Sequence, residues 1–235
     1  MSALSPGKIF MADQRGLTQT AGLQRYSTFN FGKYYNEHKQ PTGSLCVFND
    51  ETLAGLQSVE TVVEQPSYIV IIPVTGALKY ASAHGKKGML DVGEIYVSKV
   101  SAQSFIKITN PYEDDWVNYL QFHIKAPLSA EADFNKVFSF DLETTPNYLT
   151  KVISATAHDL PFSVNIGRFA GREEAIYNPQ AGSQVFTFAL AGAFEIQGRL
   201  LHERDGLALW DTAEVDLEAL SNNALMLIVE TPVTP

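Results

Sequence analysis

The feature that most narrows the fold is a short unit that occurs twice. Ile71-Ile-Pro-Val-Thr-Gly76-Ala77-Leu-Lys79 has a counterpart in Thr187-Phe-Ala-Leu-Ala-Gly192-Ala193-Phe-Glu195. Each reads as an apolar strand, a tight glycine turn and a second strand. Downstream, Asp91-Val-Gly93-Glu-Ile-Tyr-Val97 pairs with Arg204-Asp-Gly206-Leu-Ala-Leu-Trp210. The glycines lie 17 residues apart in the first copy (76 to 93) and 14 in the second (192 to 206). Each copy then passes through an alternating strand into a long apolar one, Val117–Ile124 and Ala224–Val229. Glycine at these places fits a turn with φ > 0 or a close backbone approach. Repetition on this scale predicts two similar β units in series.

Other strand-like runs fill the chain, among them Ser44–Phe48, Ser163–Ala170 and Glu214–Leu217, broken by Gly, Asn, Asp and Pro. Many short strands with turn signals between them predict a sandwich or barrel. In Ser104–Ile108, Ile106 and Ile108 alternate with Lys107, so one face is buried and Lys107 points to solvent. Helical signal is confined to residues 146–157, where Pro146 opens a stretch that reads as a short helix or as loop and strand. The expected fold class is all-β, with two domains: residues 1–126, including an N-terminal arm, and residues 127–235.

The formal net charge of −9 has no basic run beyond Lys86-Lys87 to offset it. That disfavours direct binding to nucleic acid or an anionic membrane. No apolar run reaches the roughly 18 residues of a membrane span. The opening MSALSPGKIFMADQRG lacks the apolar core of a secretion signal, so a cytoplasmic location is expected. The single cysteine, Cys46, sits in an apolar run and reads as a buried structural thiol. The histidines are His38, His84, His123, His158 and His202, and no two are spaced i, i+2 or i, i+4. His84 falls in a hairpin turn and reads as solvated. His123 follows Gln121 on the same strand face and reads as a hydrogen-bonded strand residue. The chain has no Ser-His-Asp arrangement, zinc spacing or phosphate loop.

Several runs carry a family resemblance. Tyr26-Ser-Thr-Phe29-Asn-Phe31-Gly-Lys-Tyr34-Tyr35, Leu45-Cys-Val-Phe-Asn49-Asp50-Glu51, Gly206-Leu-Ala-Leu-Trp210-Asp211 and Val229-Glu-Thr-Pro232 resemble motifs of the pirin-like bicupins. That family includes bacterial proteins with quercetin 2,3-dioxygenase activity. The resemblance covers nearly the whole chain. It implies two tandem cupin barrels (double-stranded β-helix, jelly-roll-like). It also implies one metal, usually iron, in the N-terminal barrel, held by His-Pro-His and His-Ser-Glu. Those motifs fall on Val62-Val63-Glu64 and Ile106-Lys107-Ile108.

Such a metal needs about four N or O donors converging on one point. Residues i and i+2 of a strand share a face, so each motif would supply two. At the vacated ligand positions Val62, Glu64, Ile106 and Ile108, Glu64 is the one donor left. The expectation is no metal, no cofactor and no assigned catalytic residue. Glu64, Tyr68, Tyr96, Gln121 and His123 are the polar residues expected to line any surviving pocket. The aromatic residues between Tyr26 and Tyr35 are expected to pack on the barrels, or, if exposed, to mark a partner surface. Three functions stay open, since fold alone does not decide. One is a non-catalytic bicupin that binds a small molecule or a protein. The others are a dioxygenase with atypical ligands and a metal-independent enzyme built on Glu64 or His123.

Overall fold

A computed structural model describes residues 5–83, 85–126 and 134–232. Its strands begin with β1 (Gly7–Phe10), β2 (Gly16–Gln19), β3 (Leu23–Ser27), β4 (Leu45–Leu53), β5 (Ser58–Val62), β6 (Ser67–Thr75) and β7 (Leu78–Ser82). They continue as β8 (Lys87–Leu90), β9 (Glu94–Val100), β10 (Phe105–Thr109), β11 (Val117–Lys125), β12 (Asn135–Ser139), β13 (Thr150–Ile153) and β14 (Ser163–Phe169). The last are β15 (Glu174–Tyr177), β16 (Ser183–Ala191), β17 (Phe194–Ile196), β18 (Arg199–Leu201), β19 (Gly206–Leu209), β20 (Val215–Ala219) and β21 (Ala224–Pro232). The all-β expectation holds. Residues 146–157 form β13 and then a single helical turn, α1 (Ala155–His158). The turn is capped by Ser154, whose hydroxyl accepts from the Ala157 N–H.

The chain divides into two compact units. One holds the described parts of residues 16–41 and 45–139, and the other those of 1–15, 42–44 and 140–235. The N-terminal unit pairs a seven-stranded sheet, β12-β9-β6-β11-β4-β3-β2, with a four-stranded one, β5-β10-β7-β8. The C-terminal unit pairs β1-β19-β16-β21-β14-β13 with β15-β20-β17-β18. This departs from the expected cut between residues 126 and 127. β1 adds to the edge of the C-terminal unit's sheet beside β19, and β12 to the edge of the N-terminal unit's sheet beside β9. Each covers an open row of backbone donors and acceptors, a demand that local sequence does not encode.

Burial explains the two strand patterns. The small sheets keep a wet face and therefore alternate: Ile106-Lys107-Ile108 is buried, exposed, buried, and so is Phe194-Glu195-Ile196. The central strands β6, β11, β16 and β21 are buried on both faces and read as long, mostly apolar runs rather than as alternating ones. The short strands with little apolar contrast, such as the largely exposed β2, gave no sequence signal.

The internal repeat extends to a backbone irregularity. Where β6 pairs with β11, Asn118 faces Thr75 and Tyr119 faces Pro73, so Val74 is an extra residue. Where β16 pairs with β21, Leu225 faces Ala191 and Met226 faces Ala189, so Leu190 is extra. Each bulge lies two residues before a glycine in the left-handed region, Gly76 at φ +71° and Gly192 at φ +74°. Pro73, which has no N–H to give the ladder, sits beside the first bulge. A Cβ on Gly192 would meet the Ala224 Cβ at 3.0 Å and its Cα at 3.1 Å. Gly182, at φ +77°, has open space instead. We expect Gly192→Ala to cost about 1–3 kcal/mol and Gly182→Ala, where only the backbone conformation is penalised, to cost less. Urea unfolding of both variants checks the order.

Candidate functional site

The inner face of the N-terminal unit is built from alternate residues of its strands. On β11 these are Val117, Tyr119, Gln121, His123 and Lys125. Val117 and Tyr119 belong to an apolar core with Leu53, Ile69, Ile71, Tyr96, Ile106 and Ile108. Beyond Tyr119 the face turns polar. Gln121 stands between Ile71 and Asn49, and His123 between Ile69 and Val47. Gln121 Nε2 and His123 Nε2 lie 3.1 Å apart, the pairing expected from their spacing. The side-chain oxygens of Gln121 and Asn49 are buried without a hydrogen-bond partner among the described residues.

A buried ion pair organises this region. Arg25 on β3 donates through Nε to Glu51 Oε1 at 2.7 Å and through Nη2 to Oε2 at 3.3 Å. Tyr119 OH donates to Glu51 Oε2 at 2.6 Å, and Asn49 Nδ2 to Oε1 at 3.4 Å. Burial, and then the Glu51 charge, push the Tyr119 phenol well above its ordinary pKa. The Arg25 guanidinium lies 4.9 Å from the Phe31 ring centre. Phe31 meets the His123 ring edge-on, at 6.4 Å between centroids. Burial, and then the Arg25 charge, lower the His123 pKa from 6.5 to about 3, so the imidazole is neutral at physiological pH.

Beside His123 opens a cavity of about 310 Å³, lined by Phe31, Tyr34, Cys46, Glu64 and Lys125 among others. Its size lies at the lower end of small-molecule sites. The arm therefore packs as one wall of a pocket, with Phe29 fully buried and Tyr35 left 74% exposed. Cys46 is buried, as its apolar setting predicted, and its thiol donates to the His123 carbonyl. Burial raises the thiol pKa and keeps it protonated.

The four positions expected to be vacated ligand sites do not converge. Ile106 and Ile108 are fully buried, whereas Val62 is 54% exposed and Glu64 is exposed. Cross-strand partners share a face, and the partner of Ile106 is Thr61, not Val62. Thr61 and Val63 are the buried residues of that segment. A phase shift of one residue puts every side chain on the opposite face. Of the other expected pocket residues, Tyr68 lies on the face of β6 opposite Ser67 and Ile69 and packs edge-on against Phe134. Tyr96 lies on the inner face but is a packed core residue, stacked on Tyr80 at 3.9 Å. Glu64 and His123 do line the cavity, whereas Gln121, buried behind His123 in the sheet, does not. His84 lies outside the described residues. Sequence reading missed Arg25, Asn49 and Glu51. Asn49 and Glu51 lie just past the expected strand Ser44–Phe48, and Arg25 lies where no strand was expected, so no local signal joined them.

Either phase of residues 61–64 leaves a poor donor set for a transition metal. One phase offers the Thr61 hydroxyl and the other the Glu64 carboxylate, and both face Ile106 and Ile108 without a partner donor. Among the described residues, no three His, Cys, Asp or Glu side chains are grouped to hold a metal ion. Nor is any helix among them long and apolar enough to cross a membrane.

Comparison with known proteins places this geometry. A family model for the quercetinase C-terminal cupin domain matches residues 162–230. A quercetin 2,3-dioxygenase of Escherichia coli K12 is 22% identical over 94% of this chain and 97% of its own length. The crystal structure of YhhW from Escherichia coli superposes with a TM-score of 0.85 at 19% identity, over 97% of this chain and 99% of that one. The bacterial pirin YhhW in complex with nickel(II) gives a TM-score of 0.84 at 18% identity, over 97% and 100%. A quercetin 2,3-dioxygenase from Acinetobacter baumannii gives 0.73 at 12% identity, over 96% and 86%.

His123 makes a pH-dependent prediction. Between pH 6.5 and about 3 the unfolded chain binds a proton there that the folded chain does not. Its contribution to stability is therefore lost as the pH falls through that window, by at most about 1.4 kcal/mol per pH unit. Urea unfolding from pH 7 to about pH 4 should show a steeper acid loss in the wild type than in His123→Gln. Equal slopes would mean that the folded protein admits the proton.

Proposed function

We propose that the chain is a binding member of the pirin-like bicupins of the cupin superfamily and not a metal-dependent oxygenase. The proposed site is the cavity beside His123, and the ligand a small molecule. The observation that carries this reading is the chemistry of the interior. The segment that would supply metal donors places Thr61 and Val63 inward, opposite Ile106 and Ile108. Burial of each isoleucine contributes about 1.5–3 kcal/mol to folding, so these positions serve the core. Of the polar groups around the cavity, His123 is neutral and stands with the Glu64 carboxylate and the Lys125 ammonium, while the buried Gln121 and Asn49 amides lie outside its lining. One imidazole with one carboxylate and an ammonium suits hydrogen bonding and ion pairing to a small ligand, whereas a site for iron or nickel needs about four converging N or O donors.

The competing reading is a quercetin 2,3-dioxygenase-type oxidoreductase with atypical ligands. What favours it is the name carried by relatives aligned over nearly the full length.

Metal analysis separates the two. Tag-free protein is incubated with iron(II), nickel(II), copper(II) or zinc(II), freed of loose ions by gel filtration and assayed by elemental analysis. Oxygen uptake with quercetin is then followed on the same samples. The binding reading expects substoichiometric metal in every case and no uptake above the metal-free control. One equivalent of a metal, with quercetin-dependent uptake, would overturn it.

A further inference from the structure

The repeat places a second polar position inside the C-terminal unit. With Gly76 set against Gly192, and each bulge against the other, β11 and β21 align so that Asn118 corresponds to Leu225. His123 then corresponds to Glu230. On the neighbouring strands, Asn49, the partner of Gln121, corresponds to Asn165, the partner of Ile228. Both units thus carry a buried ionisable residue and a buried asparagine at matching places, with different chemistry.

Glu230 is 5% exposed. Its Oε2 accepts the Tyr177 phenol hydrogen, and its Oε1 accepts the Gln180 N–H at 2.7 Å. Among the described residues no cation pairs with it. Glu51, comparably buried in the other unit, has Arg25. A carboxylate taken out of water without a counter-charge is strongly disfavoured. Glu230 also borders a cavity of about 180 Å³, with Ser163, Gln180, Leu160, Phe162 and Pro232 in its wall. That is well above the ~10–15 Å³ that admits one water. Asn165, 1% exposed and two residues from Ser163 on the same strand face, approaches the Tyr177 phenol without its Nδ2 completing a hydrogen bond.

We propose that the C-terminal unit holds a binding site for a small primary ammonium ion with a short alkyl body, in which Glu230 is the counter-ion. A carboxylate offers about four lone-pair sites, and two are used here, so the ammonium N–H groups still find acceptors. The Leu160, Phe162 and Pro232 walls suit an alkyl chain. They do not suit a hard divalent cation, which needs six or more oxygens around it. This site shares no residue with the cavity beside His123 and stands whether or not that reading does.

The probe is n-propylammonium chloride, titrated against the full chain at pH 7.5 with sodium chloride at equal ionic strength as the reference. The expected result is a saturable rise in Tm and a saturable shift of the Gln180 amide resonance, with sodium chloride producing neither. Glu230→Gln, which keeps the side chain's size and removes its charge, should weaken binding at least tenfold. Should that variant fail to fold, the Gln180 resonance of the wild type decides alone, because that N–H bonds directly to Glu230. An unmoved Gln180 resonance, an equal effect of sodium chloride, or a folded Glu230→Gln variant that binds within twofold of the wild type would each overturn the proposal.

Discussion

A carboxylate enclosed in a β-barrel needs a counter-charge, and in the N-terminal unit Arg25 supplies it to Glu51. Other features of the interior hang on that pair. Tyr119 orients its hydroxyl to Glu51, Asn49 adds a weaker donor, and the Arg25 guanidinium spreads under Phe31. Phe31 then closes over His123, so the arm that walls the cavity is tied to a partly buried charge pair on β3 and β4. The same Arg25 charge helps to keep the imidazole neutral. Breaking such a pair from one side costs about 3–5 kcal/mol, because the remaining charge stays buried.

The two units show how one scaffold carries different interiors. They share the glycine turn, the bulge before it and the order of the four central strands. These features fix backbone twist and leave the inward side chains free to vary. At matching places one unit has an imidazole between aliphatic residues, and the other a carboxylate held by a phenol and a backbone amide. A barrel of this kind conserves geometry through its backbone and sets its chemistry by a few inward residues.

Much of the fold was legible in the residues. The long runs Val117–Ile124 and Ala224–Val229 became central strands, and the alternation at 104–108 became a half-buried one. The pairing of Gln121 with His123 followed from their i, i+2 spacing. The vacated positions were legible as residue types but not as a place. Val62-Val63-Glu64 contains no clear alternation, and a single residue of phase decides whether Val62 or Val63 faces inward. The Val63 N–H donates to the Ser104 carbonyl and the Val63 carbonyl accepts from the Gln103 N–H, and this pairing settles the phase. The partnership of Arg25 with Glu51 was equally hidden, because it joins strands 26 residues apart.

The sequence by itself determined the all-β class, the two repeated units and the glycine turns, because these arise from local periodicity and from backbone conformations that favour glycine. It also determined the residue types at Val62, Glu64, Ile106 and Ile108, where one Glu is the only N or O donor among the four side chains. Tertiary structure alone decided which strand closes which sheet edge, which face of residues 61–64 turns inward, and which of two buried glutamates finds a cation. Those outcomes depend on register and on contacts between distant strands, where a shift of one residue reverses a face while the local pattern stays the same.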